Sequence, residues 1–240
     1  MEVKYQNLGL KEGYLYEILA TTISFKDNDL IPNTSCMGIK IINDTIIIKP
    51  YHNTKTYKNL KTNSLICINL VEDIYLYALA ALKGPFLSKR DYTFLEKDYD
   101  YYSLKNNQKM NKHLRTNQIP YLRDSWAIII CRTKKAVEIN KEDIFGLVNL
   151  TEFTLEILSV LQFKDSYKLF NRAENLTLEA LILTTRLKIA LEKNDNDLIN
   201  HFQNKIREII SNIKQFSKNP DVSKSINLIK EFIRNLNLEF

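Results

Sequence analysis

Lys49-Pro50-Tyr51-His52-Asn53-Thr54-Lys55-Thr56-Tyr57-Lys58-Asn59-Leu60 stands between two apolar runs, Thr45 to Lys49 and Leu65 to Val71. Both runs are short, rich in isoleucine and bounded by polar residues, which is the pattern of buried strands. The stretch between them gathers hydroxyls, cations and an amide into Thr54 to Asn59. A strand that runs into a turn or short helix exposes backbone N–H groups, and these, with threonine hydroxyls and a lysine, can hold a phosphate dianion. The same composition suits an ordinary polar connection, and composition alone leaves both readings open.

Working outward, Tyr14 to Ser24 reads as a strand ending at the turn-forming Lys26-Asp27-Asn28-Asp29. Met37 to Ile42 pairs with Thr45 to Lys49 through Asn43-Asp44, a two-residue hairpin connection. Ser125 to Thr133 and Ala136 to Ile139 read as a further pair of strands around Lys134-Lys135. One helix interrupts them: Ile74, Leu76, Tyr77, Leu79, Ala80 and Leu82 follow Glu72-Asp73, acids placed where a helix N-terminus favours them. Between 83 and 123, Gly84-Pro85, a basic excess and aromatics such as Tyr99, Tyr101 and Tyr121 describe a long excursion from the β framework.

From about Gly146 the period changes to that of a helix. Asn149 and Glu152 form a capping pair, and Leu150, Phe153, Ile157, Leu158 and Leu161 then share one helical face. Ile199, Phe202, Ile206, Ile209, Ile210, Ile213 and Phe216 make a second stripe, and after Asn219-Pro220 the set Ile226, Ile229, Phe232, Ile233 and Leu236 makes a third. The expected architecture is α+β, with a β-barrel domain over 1–145 and a small bundle of four helices over 146–240.

The composition belongs to a folded chain: of 240 residues 45% are hydrophobic and 26% charged, with 5 Gly and 5 Pro, which excludes collagen-like and disordered classes. Cys36, Cys67 and Cys131 are scattered through apolar runs, as buried thiols of a reducing compartment would be, so a cytoplasmic location is expected. The start, Met1-Glu2-Val3-Lys4-Tyr5, lacks a signal-peptide pattern, and no window reaches the length of a membrane-spanning run. The net charge of +6 falls mostly in the first 145 residues and suits a phosphate-bearing ligand as well as a nucleic acid. No dinucleotide-binding glycine fingerprint, P-loop or nucleophile elbow occurs. His52, His113 and His201 are far apart and no cysteine pair has zinc spacing, so no metal is implied. His201, beside Lys205 and Glu208 on a polar face, reads as a solvated residue.

Taken in order, five segments carry a resemblance: Glu17-Ile18-Leu19-Ala20-Thr21-Thr22, Pro32-Asn33-Thr34-Ser35-Cys36-Met37-Gly38-Ile39, Lys49-Pro50-Tyr51, Thr54-Lys55-Thr56-Tyr57-Lys58-Asn59-Leu60, and Ile68-Asn69-Leu70-Val71-Glu72-Asp73. Through them the chain resembles the archaeal DUF447 family, and Asn171-Arg172-Ala173, Glu179-Ala180 and Thr185-Arg186 continue the resemblance. It implies a flavin-reductase-like split β-barrel that binds FMN, followed by a helical domain. It implies a phosphate site at Thr54, Lys55, Thr56 and Asn59, with the isoalloxazine along Cys36-Met37-Gly38, where Gly38 allows close approach. The family tends to have proline where this chain has Cys36, and a homodimer is implied by the same analogy.

Arg172, Glu179 and Arg186 are spaced by seven, two helical turns, and share a face of an otherwise apolar segment. Charges so placed are expected to be paired, either as a structural ion network or as a clamp for an anionic substrate. The function expected is that of an FMN-binding oxidoreductase acting on a small, anionic or pterin-like molecule. Two alternatives stand beside it: a noncatalytic flavin-binding module, and a single-stranded nucleic-acid binder using the basic aromatic segment 83–123.

Overall fold

The strands β1 (Leu15–Lys26) and β2 (Asp29–Ile42) form a long hairpin that turns at the expected Asp27, where φ is +50°. β2 passes through Asn43 and Asp44, both at positive φ, into β3 (Thr45–Ile48), as the two-residue connection predicts. With β4 (Leu65–Leu70), β7 (Ala127–Asp143) and β8 (Gly146–Gln162) these strands close a barrel in the order β1-β2-β3-β8-β7-β4. This computed structural model describes residues 3–13, 15–27, 29–83, 94–104, 116–143, 146–166, 172–216 and 220–238.

Inside the barrel, Ile18, Ile39, Ile41, Ile46, Ile66, Ile68, Ile129, Phe153 and Leu155 form the core, and Tyr5, Leu8 and Leu10 of the N-terminal segment join it. β4 is buried on both faces, which is why Leu65 to Leu70 reads as a nearly continuous apolar run. Its outward Leu65 and Cys67, with Ile128 and Ile130 of β7, pack against Ile119 and Leu104. These last two belong to the expected excursion, whose described part is a hairpin of β5 (Tyr99–Ser103) and β6 (Gln118–Leu122).

Asn69, fully buried, fastens that hairpin. Its Nδ2 donates to Leu19 O and Thr21 Oγ1, both at 2.9 Å, while its Oδ1 accepts from Leu122 N at 2.8 Å. Thr21 and Thr34 share a 2.8 Å hydroxyl contact, and Thr34 shares one of 2.9 Å with the Tyr99 hydroxyl. Burial pushes the Tyr99 phenol up to about 12. An unfolded tyrosine titrates near about 10, so this contribution to stability is complete below that pH and is lost as pH rises through the folded value. Tyr99→Phe should therefore flatten the fall of the urea midpoint between about pH 10 and 12; an unaltered slope would place the alkaline sensitivity elsewhere.

Two expectations are corrected. Ser125 to Thr133 and Ala136 to Ile139 are not two strands around Lys134-Lys135: from Ala127 onward both runs belong to one strand, β7, whose register shifts at Ile130/Cys131 and Thr133/Lys135. The helix expected over Leu150 to Leu161 is strand β8, paired with β7 on one side and β3 on the other. Leu150, Phe153, Ile157 and Leu161 satisfy a helical spacing by coincidence, and the pairing demand of two long neighbours overrides it. The presumed capping pair has other work, with Asn149 opposite Asn140 and Glu152 bonded to Lys49 Nζ at 2.9 Å.

The chain divides into two compact units: Met1–Val71 with Leu95–Ser166, and Glu72–Phe94 with Tyr167–Phe240. Strand β8 thus carries the barrel unit past the boundary expected near 145. The second unit contains α2 (Ile74–Leu82), α3 (Arg172–Glu192), α4 (Asn196–Phe216) and α5 (Pro220–Asn235), the short α1 (Lys55–Thr62) belonging to the barrel unit. Asp73 caps α2, its Oδ1 accepting from Tyr75 N at 2.7 Å. α2 packs against α3 and α5. Among the described residues no helix is long and apolar enough to cross a membrane.

Candidate functional site

The segment after β3 leaves the barrel along β8: Thr151 N donates to Pro50 O at 3.3 Å and His52 N to Asn149 O at 3.4 Å. It turns at Thr54, which caps α1 by accepting from Tyr57 N at 3.3 Å while donating its own proton to Tyr51 O at 2.7 Å. Lys58 N bonds Thr54 O, so the backbone N–H groups of Lys55 and Thr56 stand at the helix start with no partner among the described residues. Lys55 is exposed beside them.

Thr56 and Asn59 face the other way. Both are buried, at 2% and 4% exposure, and both belong to a polar layer at the barrel mouth. Asn59 Nδ2 donates to Thr22 Oγ1 at 3.0 Å, Thr56 Oγ1 shares a 2.7 Å contact with Ser35 Oγ, and Asn33 Nδ2 reaches Thr56 Oγ1 and Thr22 Oγ1 at 3.5 Å. These side chains anchor α1 to β1 and β2. The expected cradle of Thr54, Lys55, Thr56 and Asn59 is therefore one structure with two faces: an outward start of helix and an inward anchor.

The Ser35–Thr56 contact has a geometric consequence, because it brings the first turn of α1 beside the residue preceding Cys36. Cys36, Met37 and Gly38 are half-buried in β2, with Met37 packed toward the core. Among the described residues, β2 has a strand neighbour on one side only from Asp29 to Ile39, since β3 pairs with it over Lys40–Ile42 alone. Pro32, which lacks an N–H, is tolerated on such an edge. Two segments separated in the sequence thus meet at one open strand edge.

An aromatic shelf, not foreseen from the sequence, completes this region. The His52 ring stacks on Tyr57 with centroids 4.4 Å apart, His52 Nε2 lies 2.9 Å from Thr151 Oγ1, and Tyr57 meets Phe153 edge-on at 6.3 Å. Lys61 Nζ sits 5.9 Å from the Tyr57 ring. All but Thr151 and Phe153 lie in or next to the stretch already singled out for its hydroxyls and cations, but composition does not reveal stacking.

Of the helical-unit candidates, two have described side chains. Glu179 and Arg186 are both exposed on α3, and neither enters an ion pair among the described residues. The side chain of Arg172 lies outside the described residues. His201 is exposed on α4, as expected.

A family model described as "Protein of unknown function (DUF447) N-terminal domain" matches residues 16–162. The chain belongs to the DUF447 family. Its matched residues span the barrel strands from β1 to β8 and include every candidate just described in the barrel unit. Among curated proteins, this DUF447 chain is 26% identical over 206 residues to the uncharacterized protein MJ1453 of Methanocaldococcus jannaschii, covering 86% of this chain and 92% of that one. Among solved structures it is similar to the FMN-bound DUF447 protein MM1853 from Methanosarcina mazei, at 18% identity and a TM-score of 0.64, over 95% of this chain and 100% of that one. The flavin reductase HpaC complexed with NADP+ also matches, at 13% identity and a TM-score of 0.41, over 68% and 88%. The fold, a barrel accompanied by helices as the resemblance implied, is shared with MM1853.

Proposed function

We propose that this DUF447 protein binds FMN at the junction of α1 and β2 and acts as an oxidoreductase. The observation that carries the reading is the Ser35–Thr56 contact, which sets an anion-type helix start against an open strand edge. The FMN bound to MM1853 supports it by analogy within the family. The residues fit the group: the N–H groups of Lys55 and Thr56 and the Lys55 ammonium would take the phosphate, with Thr54 holding the turn that presents them. Cys36 and Gly38, with the backbone of Met37 between them, would face the ring, and Thr56 and Asn59 would work from behind by fixing α1. When bound, FMN supplies hydride and electron transfer. The chain's part is to hold the phosphate, offer a strand edge to the ring and exclude water from one side of it.

The test is an absorption spectrum of the purified protein before and after denaturation, followed by an FMN titration. Released flavin close to stoichiometric, or saturable micromolar binding, is the expected outcome, and the absence of both would sink the reading. Lys55→Ala then locates the phosphate. It should weaken FMN about tenfold, the order of one charge-assisted hydrogen bond, and leave riboflavin unchanged. Equal losses for the two ligands would move the phosphate away from α1.

The substrate we propose is small and anionic, with Arg172, Glu179 and Arg186 as candidate contacts. Motivation comes from the basic excess of the chain and the exposure of Glu179 and Arg186 without ion-pair partners among the described residues. A homodimer in the cytoplasm is part of the same proposal.

A further inference from the structure

On the outward face of the β1–β2 ladder, Thr21 stands opposite Thr34, Leu19 opposite Cys36, Glu17 opposite Gly38 and Leu15 opposite Lys40. Burial falls steadily along this series. Thr21, Thr34 and Leu19 are buried, Cys36 and Gly38 half-buried, and Leu15 is 69% exposed. Gly38 adds no side chain to the face, and its backbone is not in the positive-φ region that favours glycine. A Cβ there would lie 3.4 Å from Leu15 Cδ1 and 3.6 Å from Glu17 Oε1, ordinary contact distances. Neither backbone nor packing within the chain therefore requires glycine. Its effect is a shallow step floored by backbone, with an exposed leucine on one side and a carboxylate oxygen at the rim.

Glu17 as a whole residue is exposed, but its carboxyl is drawn over Gly38, and burial raises its pKa from the ordinary value. A carboxylate held against the sheet in this way interacts more strongly with a nearby charge than one free in water. Lys40, opposite Leu15 and one pair further along the ladder, is exposed on the same face.

We infer that Glu17 lies at the edge of the bound flavin ring and, as a carboxylate, favours oxidised over reduced FMN, thereby setting the cofactor's reduction potential. The inference rests on the FMN reading proposed above. Neutral oxidised flavin that takes up a hydride, two electrons and a proton, from a hydride donor gains one negative charge on its ring. A carboxylate beside the ring repels that added charge and leaves the oxidised form nearly untouched. Glu17 is thus a residue that tunes the cofactor without exchanging a proton with it.

The experiment titrates the full-length protein and its Glu17→Gln and Glu17→Lys variants with oxidised FMN and, anaerobically, with dithionite-reduced FMN. Glu17→Gln should bind oxidised FMN within about twofold of the unaltered protein. Its preference for reduced over oxidised FMN should rise about tenfold, equivalent to about 30 mV for a two-electron couple. Glu17→Lys, which reverses the charge, should raise it further, so the order of three proteins is read even if one variant is poorly folded. An unchanged or reversed order with normal FMN binding would overturn the role of Glu17 and leave the FMN reading standing. Failure of the unaltered protein to bind FMN in either state would overturn both.

Discussion

Phe153→Ala is expected to remove about 3–5 kcal/mol of stability, a large part of what a domain of ordinary stability possesses. Phe153 is 1% exposed and heads the fully buried side chains by volume. It lies on β8, opposite Ile48 on one side and Ala136 on the other, so truncation opens a cavity that two neighbouring strands cannot close without breaking register. Its ring also meets the edge of Tyr57, and Tyr57 supports the His52 stack at the start of α1. The variant should therefore show a lower urea midpoint at an unchanged slope and, under native conditions, weaker FMN binding than its surviving fold alone would predict. A loss below about 1 kcal/mol would contradict the placement of Phe153 in the barrel interior.

The second large effect concerns the helical unit. A fragment comprising residues 167–240 is expected to lack a cooperative thermal transition, although it contains three long helices. The missing partner is α2, which lies far upstream and buries Ile74, Leu76, Ala78, Leu79, Ala80 and Leu82. α2 packs on both α3 and α5, so its absence leaves apolar stripes on two helices facing water. Joining residues 72–94 to the fragment through a flexible linker should restore a sharp transition. If the fragment alone melts cooperatively, α2 is dispensable and the unit is defined by its C-terminal helices.

Local chemistry made much of this legible in the sequence. Asn43-Asp44 announced a tight turn because those residues tolerate positive φ, and Asp73 announced α2 because its side chain accepts from the helix start. The apolar stripes of α4 and α5 were equally plain. What was hidden depends on contacts distant in the chain. The first half of β2, with Pro32, Asn33, Thr34 and Ser35, carries too much polarity to read as a strand; its polar groups are satisfied by Thr22, Thr56 and Thr21 instead. Leu150 to Leu161 fits two periods, and the choice between them lies in β3 and β7. At the candidate site the residue types were visible, but the inward direction of Thr56 and Asn59 was not. The placement of Glu17 across from Gly38 needed the register of β1 and β2.

The interleaved order of the two units also bears on how the chain acquires its structure during synthesis. When β4 leaves the ribosome, one of its ladder partners, β7, has yet to be made, and β3 still waits for β8. The apolar α2 emerges next and finds neither α3 nor α5. Until residue 162 is available the nascent barrel remains an open sheet, and until α5 follows, α2 is an exposed hydrophobic segment. Nascent chains of this design should spend longer bound to holdase chaperones than chains whose domains are completed one after the other. They should aggregate on release if translation stops between β4 and β7.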